Sequence, residues 1–273
     1  MSLVWAYRRL AVLCPVLRLT VTPADFGDGA GDGPGWSDAA ALAHDPAALD
    51  SFLAAEATRI RLAHGVEARE DVVATRALHS YLWSAGLLMS GPWYLDRRVP
   101  LLRPEDIRVG PGGSFRVTPG AFACLPDDPA AADPRATVLD SDEDMHAELR
   151  RVVADHVRPL LATLRPRLRR GTRALWGMAG DDLVSGLWHL GRALGEEQHG
   201  ADLATRLLPV PFPPFPGGAH FRPAPDALPG EPSLTRTRIG CCLHYTVRPD
   251  ETCSTCPRRT CATAPAAMGC VSG

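Results

Sequence analysis

The sequence predicts a mainly α-helical (α+β) fold, with a helical-bundle body, a small β-hairpin region and a cysteine-rich C-terminal tail. Three observations carry that prediction. Four long stretches repeat apolar residues at three- and four-residue steps, one alternating stretch brackets a glycine turn, and four of the eight cysteines fall between Cys241 and Cys256. The chain has 273 residues, 45% of them apolar, which is ample for a buried core.

Residues 1–22 carry an apolar run of only eight residues, Leu10 to Leu17, interrupted by Pro15 and closed by Arg18. That is marginal for a signal-peptide core and far too short to span a bilayer. Cys14 after Ala11-Val12-Leu13 faintly suggests a lipoprotein cleavage site, but Leu13 is large where a small residue is wanted. The default is a cytoplasmic protein with reduced thiols. Residues 24–38, rich in Gly and Asp without periodicity, read as a loop.

Asp45-Pro46 then forms an N-cap with proline at the first helical position, followed by Leu49, Phe52, Leu53, Ala57 and Ile60, and Gly65 ends the helix. A second helix begins near Asp71, sets Val73, Ala77, Leu78, Tyr81, Leu82, Ala85 and Leu88 on one face, and stops at Gly91-Pro92. Residues 106–109 and 114–117 alternate around Gly110-Pro111-Gly112-Gly113, which predicts a hairpin. After a loop from Leu125 to Ala136, the clearest amphipathic pattern runs from about Ser141 through Met145, Leu149, Val152, Val153, His156, Leu160, Leu161 and Leu164. Pro159 is expected to kink or break that helix near its end. A further helix spans about Thr172 to Leu194. Pro209 to Pro232 holds nine of the 26 prolines and reads as an extended connector. The resulting organisation is an N-terminal segment and loop (1–38), a helical body (39–207), a Pro-rich connector (208–233) and a cysteine-bearing C-terminal region (234–273).

The charges exclude several chemistries. Twenty-nine cations balance 31 anions for a net charge of -2, and every cation is arginine. With no lysine there is no P-loop lysine, Schiff base or lysine general base. The near-neutral balance argues against a nucleic-acid partner. The Gly110–Gly113 and Gly217-Gly218 turns lack the strand-to-helix setting of a phosphate or dinucleotide loop, and no flavin or nicotinamide site is visible.

The four clustered thiols follow the spacing C-C-x10-C-x2-C. The C-x2-C half is a turn that aims both sulfurs at one centre. Adjacent Cys241 and Cys242 serve one centre only if the backbone bends there, which Gly240 would ease. Structural zinc is one reading, although a CC dipeptide fits poorly the two to four residues that usually separate paired zinc cysteines. Disulfides would need an oxidising compartment, and ordinary thiols would not cluster so tightly. Spacing favours an iron-sulfur centre over these.

The run Arg238-Ile239-Gly240-Cys241-Cys242-Leu243-His244-Tyr245 with Cys253-Ser254-Thr255-Cys256 resembles the C-terminal signature of the FhuF-type ferric-siderophore reductases. Leu175-Trp176-Gly177-Met178-Ala179 is similar to that family's L-W-G-N segment, with Met178 where Asn is more usual. The resemblance implies a 2Fe-2S cluster on Cys241, Cys242, Cys253 and Cys256, and one-electron reduction of ferric iron in a siderophore so that Fe(II) is released in the cytoplasm. It implies no catalytic side chain beyond the cluster. It also implies a separate electron donor, either a ferredoxin-like protein or a flavin- or NAD(P)H-dependent reductase, and it allows peripheral association with a siderophore importer at the inner face of the membrane. Arg238, Tyr245, Arg258 and Arg259 are candidates to dock an anionic substrate, in a run where Arg236 and Arg248 also flank the cysteines. A non-catalytic zinc-binding adaptor is the alternative. A synthetase of the aerobactin type shares a helical region, but this chain is too short for its ATP-binding part.

Cys261 and Cys270 are alternative ligands outside the family register. Cys14 and Cys124 read as small buried hydrophobes. His156 reads as a core histidine, and Trp176 and Trp188 as core residues, with the wall of a substrate cleft as their alternative role.

Overall fold

The fold is taken from a computed structural model, which describes residues 2–22, 35–224 and 233–258. Its helices are α1 (Leu3–Leu13), α2 (Ala41–His44), α3 (Pro46–His64), α4 (Glu70–Asp96), α5 (Asp142–Leu164), α6 (Thr172–Ala193), α7 (Glu197–Leu207) and α8 (His244–Val247). The strands are β1 (Leu19–Val21), β2 (Ser37–Asp38), β3 (Val99–Pro100), β4 (Ile107–Gly110), β5 (Ser114–Val117), β6 (Phe122–Cys124), β7 (Ala136–Val138), β8 (Arg222–Pro223) and β9 (Leu234–Thr235). The expected mainly helical architecture with small sheets is present.

Local chemistry sets the helix ends. Asp45 Oδ1 accepts from Ala47 N at 2.9 Å to open α3, and Gly65 at φ 68° closes it with its N–H on Arg61 O. Ser141 Oγ accepts from Asp144 N to open α5, whose first turn carries Asp142, Glu143 and Asp144 against the positive end of the helix dipole.

α4 is the central element, buried on nearly all sides, as a helix without a polar face must be. It packs on α6 and also meets α1, α3 and α5. β4 and β5 form the expected hairpin, with Ile107 opposite Val117 and Gly110 opposite Ser114. β1 joins β5 in parallel and β2 joins β4 antiparallel, giving the order β1-β5-β4-β2. A second sheet, β3-β6-β7, lies beyond the C-terminal end of α4, and β8 pairs with β9.

Some expectations need correction. α4 does not stop at Gly91-Pro92 but runs to Asp96, ending where Arg97 turns left-handed at φ 54°. Burial of Pro92, Trp93 and Tyr94 outweighs the helix-breaking cost of the proline. Pro159 likewise sits inside α5, which continues while Leu160, Leu161 and Leu164 pack into the core. The N-terminal segment, read for targeting signals, folds as α1. Leu3, Ala6, Tyr7 and Leu10 are buried, and Tyr7 Oη donates to Leu88 O at 2.8 Å. α7 was not expected either. Over its described residues 209–224 the Pro-rich connector holds no helix, and the strand there, β8, lies at an edge where Pro223 needs no ladder donor. Residues 24–34 of the Gly/Asp loop and 225–232 of the connector fall outside the described residues. Among the described residues no helix is long and apolar enough to cross a membrane.

Candidate metal centre

The cysteine loop is held on α6 by a buried charge network. Asp181 and Asp182, near the middle of α6, are 2% and 0% exposed and sit in an otherwise apolar helix, so each needs a partner. Arg236 supplies the first: its Nη2 donates to Asp181 Oδ1 at 2.6 Å and its Nε to Ala219 O at 3.0 Å. Asp181 Oδ2 accepts from the backbone N–H groups of Ile239 and Gly240, each at 2.7 Å. Arg238 Nη2 donates to Asp182 Oδ1 at 2.6 Å, and the other oxygen of Asp182 meets His79 Nδ1 at 2.9 Å. Burial pushes the Asp181 carboxyl up, while the Arg236 and Arg238 charges and the Gly240 N–H pull it down. Three donors on its two oxygens suit the ionised form.

This network lays residues 236–240 flat across α6. A Cβ on Gly177 would stand 2.7 Å from Ile239 Cγ2. A Cβ on Gly240 would run into the Met178 side chain and lie 3.1 Å from Met178 Cα. Gly240 is therefore required for close approach. The bend that follows the CC pair comes instead at Leu243, left-handed at φ 57°, after which α8 begins. Residues 175–179 and 238–245 are packed on each other, through Gly177 against Ile239 and Met178 against Gly240.

The loop closes when Arg238 N donates to Thr255 O at 3.2 Å, and Cys256 N to Cys253 O at 3.0 Å makes the C-x2-C turn. Cys242 and Cys256 are buried, whereas Cys241 and Cys253 are half-buried. Each thiol is close enough to act on two others, Cys242 on Cys253 and Cys241, and Cys256 on Cys241 and Cys253. The hydrogen bond with Cys253 pulls the Cys242 thiol down and pushes that of Cys253 up, so the pair holds its first proton on Cys253. Burial raises the Cys241 thiol. Burial opposes the charge on Arg238, but Asp182, Asp181 and the sulfurs of Cys242 and Cys253 outweigh it and keep the guanidinium protonated.

Among the described residues no three Cys, His, Asp or Glu side chains converge as ligands of a single ion. Four soft thiols on one loop, with a buried cation beneath them, have the donor chemistry that holds an iron-sulfur centre.

The other expected site residues divide. Arg238 is corrected: at 6% exposure and committed to Asp182, it cannot reach a docking substrate, and its charge lies under the cysteine loop. Arg236 is likewise structural, and Arg248 pairs with Glu251. Arg258 stacks over Tyr245, 4.3 Å from the ring centroid, and both reach solvent. Arg259, Cys261 and Cys270 lie outside the described residues. Cys14 and Cys124 are fully buried, as small hydrophobes. His156 is buried with Nε2 2.7 Å from Tyr81 Oη, although its Nδ1 has no partner. Trp176 packs edge-on against Phe215, and Trp188 Nε1 donates to Glu197, so both are packing residues. Sequence reasoning missed Asp181, Asp182 and His79. The available signal was an acidic pair inside the apolar stretch 175–190.

Residues 238–258 match the FhuF 2Fe-2S C-terminal domain family. That match indicates a 2Fe-2S cluster. No curated protein matches the chain.

Proposed function

We propose that this chain reduces ferric iron held in a siderophore complex by one electron, through a 2Fe-2S cluster bound by Cys241, Cys242, Cys253 and Cys256, and so releases Fe(II). The observation that carries this reading is the match of residues 238–258, in which all four thiols lie on one loop anchored to α6. When bound, a 2Fe-2S centre supplies one electron at a time, which suits conversion of Fe(III) to Fe(II), an ion that hard oxygen donors hold far less tightly.

The chain's own residues support that chemistry in three ways. Asp181 fixes the backbone at Ile239 and Gly240, so the CC pair is positioned before any metal arrives. Arg238 places a permanent positive charge beside Cys242 and Cys253, which favours the reduced, more negative state of a thiolate-bound centre. Burial of Cys242 and Cys256 limits water at the sulfurs. The electron comes from a separate donor, a ferredoxin-like protein or a flavin- or NAD(P)H-dependent reductase, in the cytoplasm.

Protein purified without oxygen should be coloured, hold about two irons and two sulfides per chain, and turn a ferric siderophore into Fe(II) trapped by a ferrous chelator. Cys242→Ser and Cys253→Ser should lose the colour, and Cys270→Ser should keep it. A colourless protein with one zinc per chain would overturn the reading in favour of a structural zinc site.

A further inference from the structure

A cleft of about 700 Å³ opens between α3, α4 and the β4–β5 hairpin. Its volume is that of a small-molecule site. Three arginines, Arg18, Arg59 and Arg76, line it against a single carboxylate, Glu56. Each cation is placed differently. Arg59 is held in a two-point contact with the buried carboxylate of Glu56, at 2.7 and 2.5 Å. Arg18, left-handed at φ 45°, donates to Gly112 O at 3.1 Å. Arg76 is half-buried on α4 and makes no ion pair among the described residues. Aromatic side chains, Phe52 and Trp83 among them, supply apolar wall.

The cleft adjoins the cysteine loop. His79 lines it, yet the same ring is bonded to Asp182, stands 3.4 Å from Arg238 Nη2, and is near enough to Cys242 to act on its charge. Arg76, one turn earlier on α4, acts in the same way on His244, two residues after Cys242. His244 in turn packs edge-on against His64 at the end of α3. One wall of the cleft is thus shared with the anchor of the thiols.

We propose that this cleft is the binding site for an anionic metal chelate, with Arg76 as its principal charge contact and His79 as the side chain separating the chelate from the cluster. The inference rests on the reductase reading and locates its substrate in a cleft that neither Arg258 nor Tyr245 lines. An unpaired, half-desolvated guanidinium beside aromatic wall suits a chelate that is anionic at its oxygen donors and flat at its rings. A neutral chelate would gain less from it.

The test uses redox-inert gallium(III) chelates, one a negatively charged tris-catecholate and one a neutral tris-hydroxamate, titrated into the full chain while tryptophan fluorescence reports binding near Trp83. The wild-type chain should bind the tris-catecholate. Arg76→Glu, which reverses the charge, should weaken it by about tenfold or more and affect the neutral chelate less. Ala55→Trp, at an exposed position lining the cleft, should block both chelates without touching the core. Unchanged visible and far-ultraviolet spectra would show both variants folded and loaded with cluster. If the loaded protein reduces ferric chelates while both variants bind gallium chelates like wild type, the site is elsewhere and the reductase reading stands. If the loaded wild-type chain neither binds nor reduces any of the chelates, both proposals fall.

Discussion

Asp181 shows how much one residue carries. Its two oxygens serve a guanidinium and two backbone N–H groups, which together fix the start of the cysteine loop. Asp181→Asn keeps the shape but leaves Arg236 charged and unpaired in the core. It should cost about 3–5 kcal/mol in urea unfolding and lose cluster on desalting, read as visible absorbance. Asp142→Asn, in a pair with Arg97 where both side chains are more than half exposed, should change stability by less than about 1 kcal/mol. Equal effects from the two would remove the special role given to Asp181. At this scale the sequence was legible for the thiols, whose spacing is chemistry in itself. It was not legible for Asp181, Asp182 or His79, because His79 lies about a hundred residues from its partner, Asp182.

Elements add a constraint that no single side chain expresses. α6 presents Gly177 and Met178 to Ile239 and Gly240, so helix and lead-in touch at backbone distance. Gly240→Ala must push the lead-in away from Met178, carrying the two Asp181 hydrogen bonds and the CC pair with it. The expected outcome is an intact helical circular-dichroism spectrum with cluster occupancy reduced at least severalfold, measured as iron per chain. Full occupancy would mean that the loop tolerates the shift. Capping chemistry made α3 and α5 legible to within a residue or two, through Asp45-Pro46, Gly65 and Ser141. The C-terminal end of α4 was not legible, because Pro92 is a local stop signal that only the packing of its neighbours overrides.

Over the whole molecule the core is built around α4, and where α4 meets α5 His156 and Tyr81 share a 2.7 Å hydrogen bond out of reach of water. Burial lowers the imidazole from 6.5 to about 4. The native protein therefore keeps His156 neutral where the unfolded chain would protonate it. Stability is complete above pH 6.5 and falls as the pH drops from 6.5 to 4, by about 3 kcal/mol from this group. Urea midpoints at pH 7 and 4.5, taken on the Cys253→Ser chain so that acid loss of cluster plays no part, should differ clearly. The difference should shrink in the same chain carrying His156→Gln, and an equal drop in both would place the acid sensitivity elsewhere. The sequence by itself determined the helical class, the hairpin, the order of segments and the four-thiol pattern, since each is written in spacings of a few residues. Tertiary structure alone decided that α1 belongs to the core, that Arg236 and Arg238 are buried anchors, and that an arginine-lined cleft stands against the cysteine loop. These depend on which distant residues share a buried, poorly screened space, and in such a space a charge is held only where the fold brings its partner.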